Sequence, residues 1–240
     1  MTRADGRAAN ELRPVELVVG VSKWAEGSCE IQMGDTIVMC TASVEEWLPP
    51  FRRDTGQGWV TAEYDMLPRS TGDRRQRSSR GGKPDSRALE ISRLVGRALR
   101  AVVDFPALGA RTITVDCDVL QADGGTRTAA VTGGYVALVE AMRWLQRRKA
   151  VQKVPVRDQV AAVSVGVVGG DTLLDLCYAE DSKAAVDMNV IMTGRQRLIE
   201  VQGTGEERPF SRELLDEMLD LAELGIGQLI KLQQQVLADE

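Results

Sequence analysis

The 240-residue sequence contains no histidine, so its chemistry must rest on carboxylates, on arginine and lysine, and on backbone amides freed by glycine. That absence removes Ser-His-Asp and Cys-His catalysis, H-E-x-x-H zinc sites and imidazole general bases together. Three groupings stand out in what is left. The run Gln121-Ala122-Asp123-Gly124-Gly125-Thr126-Arg127-Thr128 joins two glycines to an arginine and two hydroxyls. Glycine lets the backbone approach a ligand closely, the amides of a following helix point at it, and the planar fork of Arg127 suits phosphate oxygens. Taken alone, the same residues also describe a tight turn with Arg127 in solvent. Arg87, near the start of a helical stretch, is the second grouping. A cation there opposes the helix dipole by a few tenths to about 1 kcal/mol unless an anion binds beside it; a solvated Arg87 next to Asp85 is the alternative. Third, Asp187 and Asn189 lie on one face of a strand whose other face is Val186, Met188, Val190 and Met192, with Asp181 at the preceding turn. If that turn folds back, Asp181 and Asp187 share one hard cation such as Mg²⁺, which takes few protein carboxylates and completes its octahedron with water and substrate phosphates. Otherwise they are solvated surface acids.

The elements that must position these groups follow from periodicity. Residues 15–21 form one apolar run, and residues 28–33 and 36–43 flank Gly34-Asp35, a two-residue hairpin turn. Residues 58–66 read as a further strand. Residues 69–82 are too polar and Gly-rich to pack and read as a long exposed loop. A helix over about 85–103 carries Ile91, Leu94, Val95, Ala98, Leu99, Val102 and Val103 at helical spacing, with Arg93, Arg97 and Arg100 opposite. Residues 112–120 alternate as a half-buried strand. A second helix spans about 128–148, with Val131, Tyr135, Leu138, Met142 and Leu145 on one stripe. Beyond it, residues 160–168 and 172–178 flank Gly169-Gly170-Asp171 as a hairpin, and strands are expected near 185–192 and 197–201. Ser211 is a good N-cap for a closing helix, with Phe210 placed to staple onto Leu215. Hairpins and helices in blocks, without strict βαβ alternation, predict an α+β fold in a single domain over residues 1–240.

Charge is distributed unevenly. The net charge is −5, yet residues 69–87 hold Arg69, Arg74, Arg75, Arg77, Arg80, Lys83 and Arg87 against Asp73 and Asp85 only. An anionic partner at one place is implied. No apolar run is long enough to span a membrane, and the first residues are polar, so a cytoplasmic chain is expected. Cys29, Cys40, Cys117 and Cys177 are widely spaced within apolar stretches, which predicts buried free thiols.

Residues 56–71 (GQGWVTAEYDMLPRST) and 116–128 (DCDVLQADGGTRT) resemble the ribonuclease PH family almost residue for residue. So do residues 174–189, Asp5-Gly6-Arg7, and residues 28–43 with their Gly-Asp-Thr hairpin. The resemblance extends over essentially the whole chain. It implies the fold of ribosomal protein S5 domain 2 and a phosphate-dependent 3′→5′ exoribonuclease that trims transfer RNA precursors and releases nucleoside diphosphates. It further implies inorganic phosphate held by Arg87, Gly125, Thr126 and Arg127, essential acids at Asp181 and Asp187 with Mg²⁺, and a homo-hexamer built as a trimer of dimers. The arginine-rich loop, with Arg69, Arg74, Arg75, Arg77 and Arg80, is implied to contact RNA and neighbouring subunits. A catalytic or non-catalytic RNA-binding subunit of an exosome-like ring is the alternative. The sequence departs from the family pattern at Ala4, Gly72-Asp73 and Ser86, none of them an implied site residue.

Overall fold

The computed structural model describes residue 3 and residues 5–77, 85–206 and 208–238. Arg80, one of the loop arginines, lies outside them. Two β-sheets enclose a central helix. Strands β1 (Val15–Val19), β2 (Gly27–Met33), β3 (Thr36–Glu45), β4 (Trp59–Met66) and β5 (Thr112–Gln121) form the first sheet, ordered β1-β2-β3-β5-β4. Every pairing is antiparallel except β4 with β5. A parallel pair needs a crossover, and helix α1 (Ser86–Ala101) with the short α2 (Phe105–Leu108) lies in it. Strands β6 (Val160–Val168), β7 (Asp171–Leu174), β8 (Val186–Thr193) and β9 (Leu198–Gly205) form a second, antiparallel sheet ordered β7-β6-β8-β9. The architecture is the α+β class that the blocks of hairpins and helices predict.

Both hairpins turn where glycine permits. Met33 pairs directly with Thr36 across Gly34 at φ 56°, and Val168 with Asp171 across Gly169 and Gly170 at φ 61° and 93°. Consecutive positive φ values match the twist of a two-residue hairpin. The second hairpin is shorter than its sequence suggests. Strand β7 stops at Leu174 because Asp175 takes φ 53° and turns its carboxylate inward, and Tyr178 opens a one-turn helix, α4 (Tyr178–Asp181), instead of ending a strand.

The central helix, α3 (Thr126–Arg147), differs more. One apolar stripe is expected, but every side chain from Thr128 to Met142 is buried. It is covered by the first sheet on one side and by β6 and the closing helix α5 (Arg212–Ala238) on the other, so small residues take the faces that a surface helix would give to charge. Gly133 and Gly134 lie over the first sheet, where a Cβ on Gly133 would come within 2.6 Å of Ile31 Cγ2. Opposite, Thr132 exchanges hydrogen bonds with Ala162, and the buried Gln233 of α5 donates to the carbonyls of Thr132 and Val160. Helix α5 begins as predicted: Ser211 Oγ accepts from the Leu214 amide. One continuous apolar cluster draws from both sheets. No helix among the described residues is long and apolar enough to cross a membrane.

Candidate active site

Helix α3 opens at Gly125, whose φ of 65° sets the turn into the helix. Among the described residues no side chain caps this helix, and no acid lies in its first turn, although a helix start presents unpaired amides and a partial positive charge. Arg127 adds a guanidinium there. Its Nη1 donates to Gln202 Oε1 at 2.6 Å and to Glu90 Oε1 at 3.2 Å, and Gln202 Nε2 donates to the same Glu90 oxygen at 3.0 Å. Arg127 is therefore held where α1, α3 and β9 meet. Thr126 is buried, its hydroxyl accepting from the Tyr64 phenol at 2.8 Å.

Arg87 lies in the first turn of α1, whose N-cap is Asp85: the Asp85 carboxylate accepts from the Arg87 amide, leaving the exposed guanidinium outside the cap. The charges of Arg87 and Arg127 both act on Asp181 and Asp187, so the structure brings the four residues into one neighbourhood.

The two acids line a recess of about 380 Å³ with Ser182, Lys183, Ala184 and Glu206. Burial raises both carboxyls above their ordinary value. Asp187 is pushed up to about 6, first by burial and next by Asp181, while Arg127 and Arg87 pull in the opposite direction. Asp181 is raised as well, chiefly by burial, against the same two arginines. Asp187 Oδ1 is buried with no hydrogen-bond partner among the described residues. A carboxylate oxygen left without a donor costs free energy unless something positive meets it. Among the described residues no group of three or more His, Cys, Asp or Glu is arranged to hold a metal ion. Two carboxylates with water and substrate oxygens still satisfy Mg²⁺, and the partnerless Asp187 oxygen fits that role.

Behind the site lies a buried ionic network that sequence reasoning missed. Arg13 donates from Nε, from Nη2 and from its own amide to the Asp175 carboxylate at 3.0, 2.7 and 2.8 Å, and from Nη1 to the Asp123 carbonyl at 2.6 Å. Arg3 makes a bidentate pair with Glu180, at 2.8 and 2.7 Å, one residue before Asp181. The only local signs of this are charged residues at the margins of apolar runs. Glu90 and Gln202 carry no distinguishing signal, and Tyr64 only its place within residues 56–71.

The arginine-rich segment is partly as expected. Arg69, Arg74 and Arg77 are exposed, and Arg80 lies outside the described residues. The segment is nonetheless anchored: Ser70 is buried with its carbonyl accepting from the Ala122 amide, the Arg75 amide donates to Pro68, and Arg75 pairs with Asp85 at 2.9 Å.

Comparison with known proteins identifies the family and the fold. The family model described as "3′ exoribonuclease family, domain 1" matches residues 11–143, and that for domain 2 of the same family matches residues 158–224. Among solved structures, rice (Oryza sativa) Rrp46 superposes with TM-score 0.78 at 19% identity, over 97% of this chain and 98% of that one. An Archaeoglobus fulgidus exosome with RNA bound to the active site superposes with TM-score 0.80 at 24% identity, over 95% and 91%. An archaeal exosome core gives 0.75 at 24% identity, over 98% and 90%.

Proposed function

Because the chain belongs to the 3′ exoribonuclease (ribonuclease PH) family, we propose that it is a phosphorolytic exoribonuclease that trims the 3′ ends of transfer RNA precursors, releasing one nucleoside diphosphate per step. The observation that carries this reading is that two arginines, one of them in the first turn of the uncapped helix α3, act electrostatically on a pair of acids, one of which has a buried carboxylate oxygen without a partner among the described residues. The first half suits an anion, the second a cation or a proton.

Inorganic phosphate is already nucleophilic near neutral pH, so no histidine base is required. The difficulty is to bring one phosphate against another. Arg87, Arg127, the Thr126 hydroxyl and the α3 amides hold the attacking phosphate. One of its oxygens forms the new bond to the terminal phosphorus while the bond from that phosphorus to the 3′ oxygen of the preceding nucleotide breaks. Asp181 and Asp187 would hold Mg²⁺, which when bound neutralises charge on the scissile phosphate. The departing 3′ oxygen needs a proton, which one of the two acids delivers. The exposed Arg69, Arg74 and Arg77 contact upstream RNA. A cytoplasmic homo-hexamer, a trimer of dimers, completes the reading.

A second reading, a subunit of an exosome-like ring, rests on the likeness to exosome proteins. One assay separates the two. Purified protein with Mg²⁺ and a 3′-extended transfer RNA precursor should transfer labelled orthophosphate into nucleoside diphosphates and run backwards when diphosphates are supplied. Monophosphate release at equal rate without phosphate overturns phosphorolysis. Binding of RNA without turnover by the isolated chain favours the ring subunit.

A further inference from the structure

We propose that Arg13 and Asp175, with Thr36, are positioning residues that set phosphate affinity by locking the loop before α3 against the segment that leads into α4. The proposal rests on the phosphorolytic reading and concerns how the two halves of that site are held in register.

The loop 123–125 and the segment 175–178 are tied in several independent ways. The Asp123 carboxylate accepts from the Tyr178 amide at 3.2 Å. A Cβ on Gly124 would lie 2.6 Å from the Leu176 carbonyl oxygen and 2.9 Å from the Tyr178 amide nitrogen, so the two backbones are in direct contact. Arg13 spans both sides at once, with Nη1 on the Asp123 carbonyl and its other donors on the Asp175 carboxylate. Thr36, fully buried, donates to the Gly124 carbonyl at 2.7 Å and accepts from the Asp123 amide at 2.9 Å.

These contacts involve none of Arg87, Thr126, Arg127, Asp181 or Asp187. They meet the chain one or two residues before the phosphate-holding segment and three to six residues before Asp181. Asp175 is fully buried yet sits at φ 53°. Aspartate adopts that backbone more readily than most residues, and here it is fixed on every side: Arg13 holds the carboxylate, the Asp175 amide donates to the Ser164 carbonyl, and Arg3 and Arg7 donate to its carbonyl. The pair thus determines where the α3 amides and Arg127 stand relative to the acids. Phosphate, which must be gripped by the first set while facing the second, is the ligand most sensitive to slack.

Truncating either member of the pair leaves a buried charge alone and can unfold the chain, so the test uses Thr36. Thr36→Val keeps shape and strand preference but removes both loop bonds, and Thr36→Ser restores the hydroxyl. The measurement is steady-state phosphorolysis at varied phosphate and at varied RNA, alongside thermal unfolding of the same preparations. A small misplacement of a binding group costs up to about a hundredfold. The expected result for Thr36→Val is a KM for phosphate raised roughly tenfold, with kcat and KM for RNA within about twofold, and recovery in Thr36→Ser. A folded Thr36→Val with unchanged KM for phosphate overturns the proposal, as does an equal loss across all three constants. If wild-type protein itself consumes no phosphate, it is the phosphorolytic reading that fails.

Discussion

Arg127 makes two contacts within the chain, to Glu90 and to Gln202, so its fork is held in orientation through one arm. Lysine cannot reproduce that arrangement, because an ammonium is a point charge without a planar pair of donors. Arg127→Lys is expected to lose about 2–4 kcal/mol of transition-state stabilisation, the scale of an oxyanion donor removed. This is read as kcat/KM at limiting phosphate, and full activity would contradict the clamp. Asp187 supports a prediction of opposite character. Its carboxyl titrates at about 6 in the folded chain, against an ordinary value of 3.8, so the folded state holds that proton more tightly than the unfolded one. Its contribution to stability is full below about pH 4 and is lost as pH rises through about 6. In metal-free buffer, Asp187→Asn should therefore be more stable than wild type in urea unfolding near neutral pH, and the difference should vanish near about pH 4. The same variant should abolish turnover while RNA binding persists, since a negative charge near a polyanion is removed. If wild type and variant show parallel stability profiles over that range, Asp187 is not the titrating group.

Among the elements, the arginine-rich segment divides by what its residues touch. Arg69, Arg74 and Arg77 are exposed, while Arg75 reaches Asp85 at the N-cap of α1. Replacing the three exposed arginines with alanine should weaken binding of a transfer RNA precursor. It should also flatten the dependence of log affinity on log salt by roughly one unit per lost phosphate contact, up to about three. Phosphorolysis of a very short oligonucleotide should change far less. An unchanged salt slope in a fully assembled triple variant would make the segment mere surface. Arg75→Ala should act instead through the start of α1. The hairpins were legible in the sequence because Gly34-Asp35 and Gly169-Gly170 carry their turn geometry locally. The strand-to-helix passage around Asp123 to Thr128 was legible for the same reason. The all-round burial of α3 was not: helical periodicity reports the better face and is silent about a second sheet on the other. Nor was the Arg13–Asp175 pair, whose members are separated by 162 positions and are marked by no local pattern. The one-turn α4 is too short for periodicity to register.

At the scale of the molecule, the site exists only because α3 brings two sheets together: Arg87 comes from the crossover helix of the first sheet and Arg127 from α3 itself, Asp181 and Asp187 from α4 and β8 on the side of the second sheet. The closeness of that packing can be tested at two adjacent glycines. A Cβ on Gly133 would meet Ile31 at 2.6 Å and Cys40 Sγ at 3.2 Å, whereas on Gly134 it would meet Val115 at 3.4 Å and Cys117 Sγ at 3.5 Å, ordinary contact. Gly133→Ala should cost about 1–3 kcal/mol by overpacking, while Gly134→Ala should be neutral or gain up to about 1 kcal/mol from helix preference, both by denaturant unfolding. Equal effects would mean that α3 sits farther from the sheet than described. Those glycines cover Cys40 and Cys117, and Cys29, Cys40 and Cys117 stand directly opposite one another across β2, β3 and β5. All three are buried, and burial pushes the Cys29 thiol up to about 12. Cys177, half-buried at the N-cap of α4, is the exception. The chain thus carries two reporters that need no engineering. Alkylation of Cys177 would time the opening of the active-site turn, and alkylation of the other three would time the lifting of α3 from its sheet.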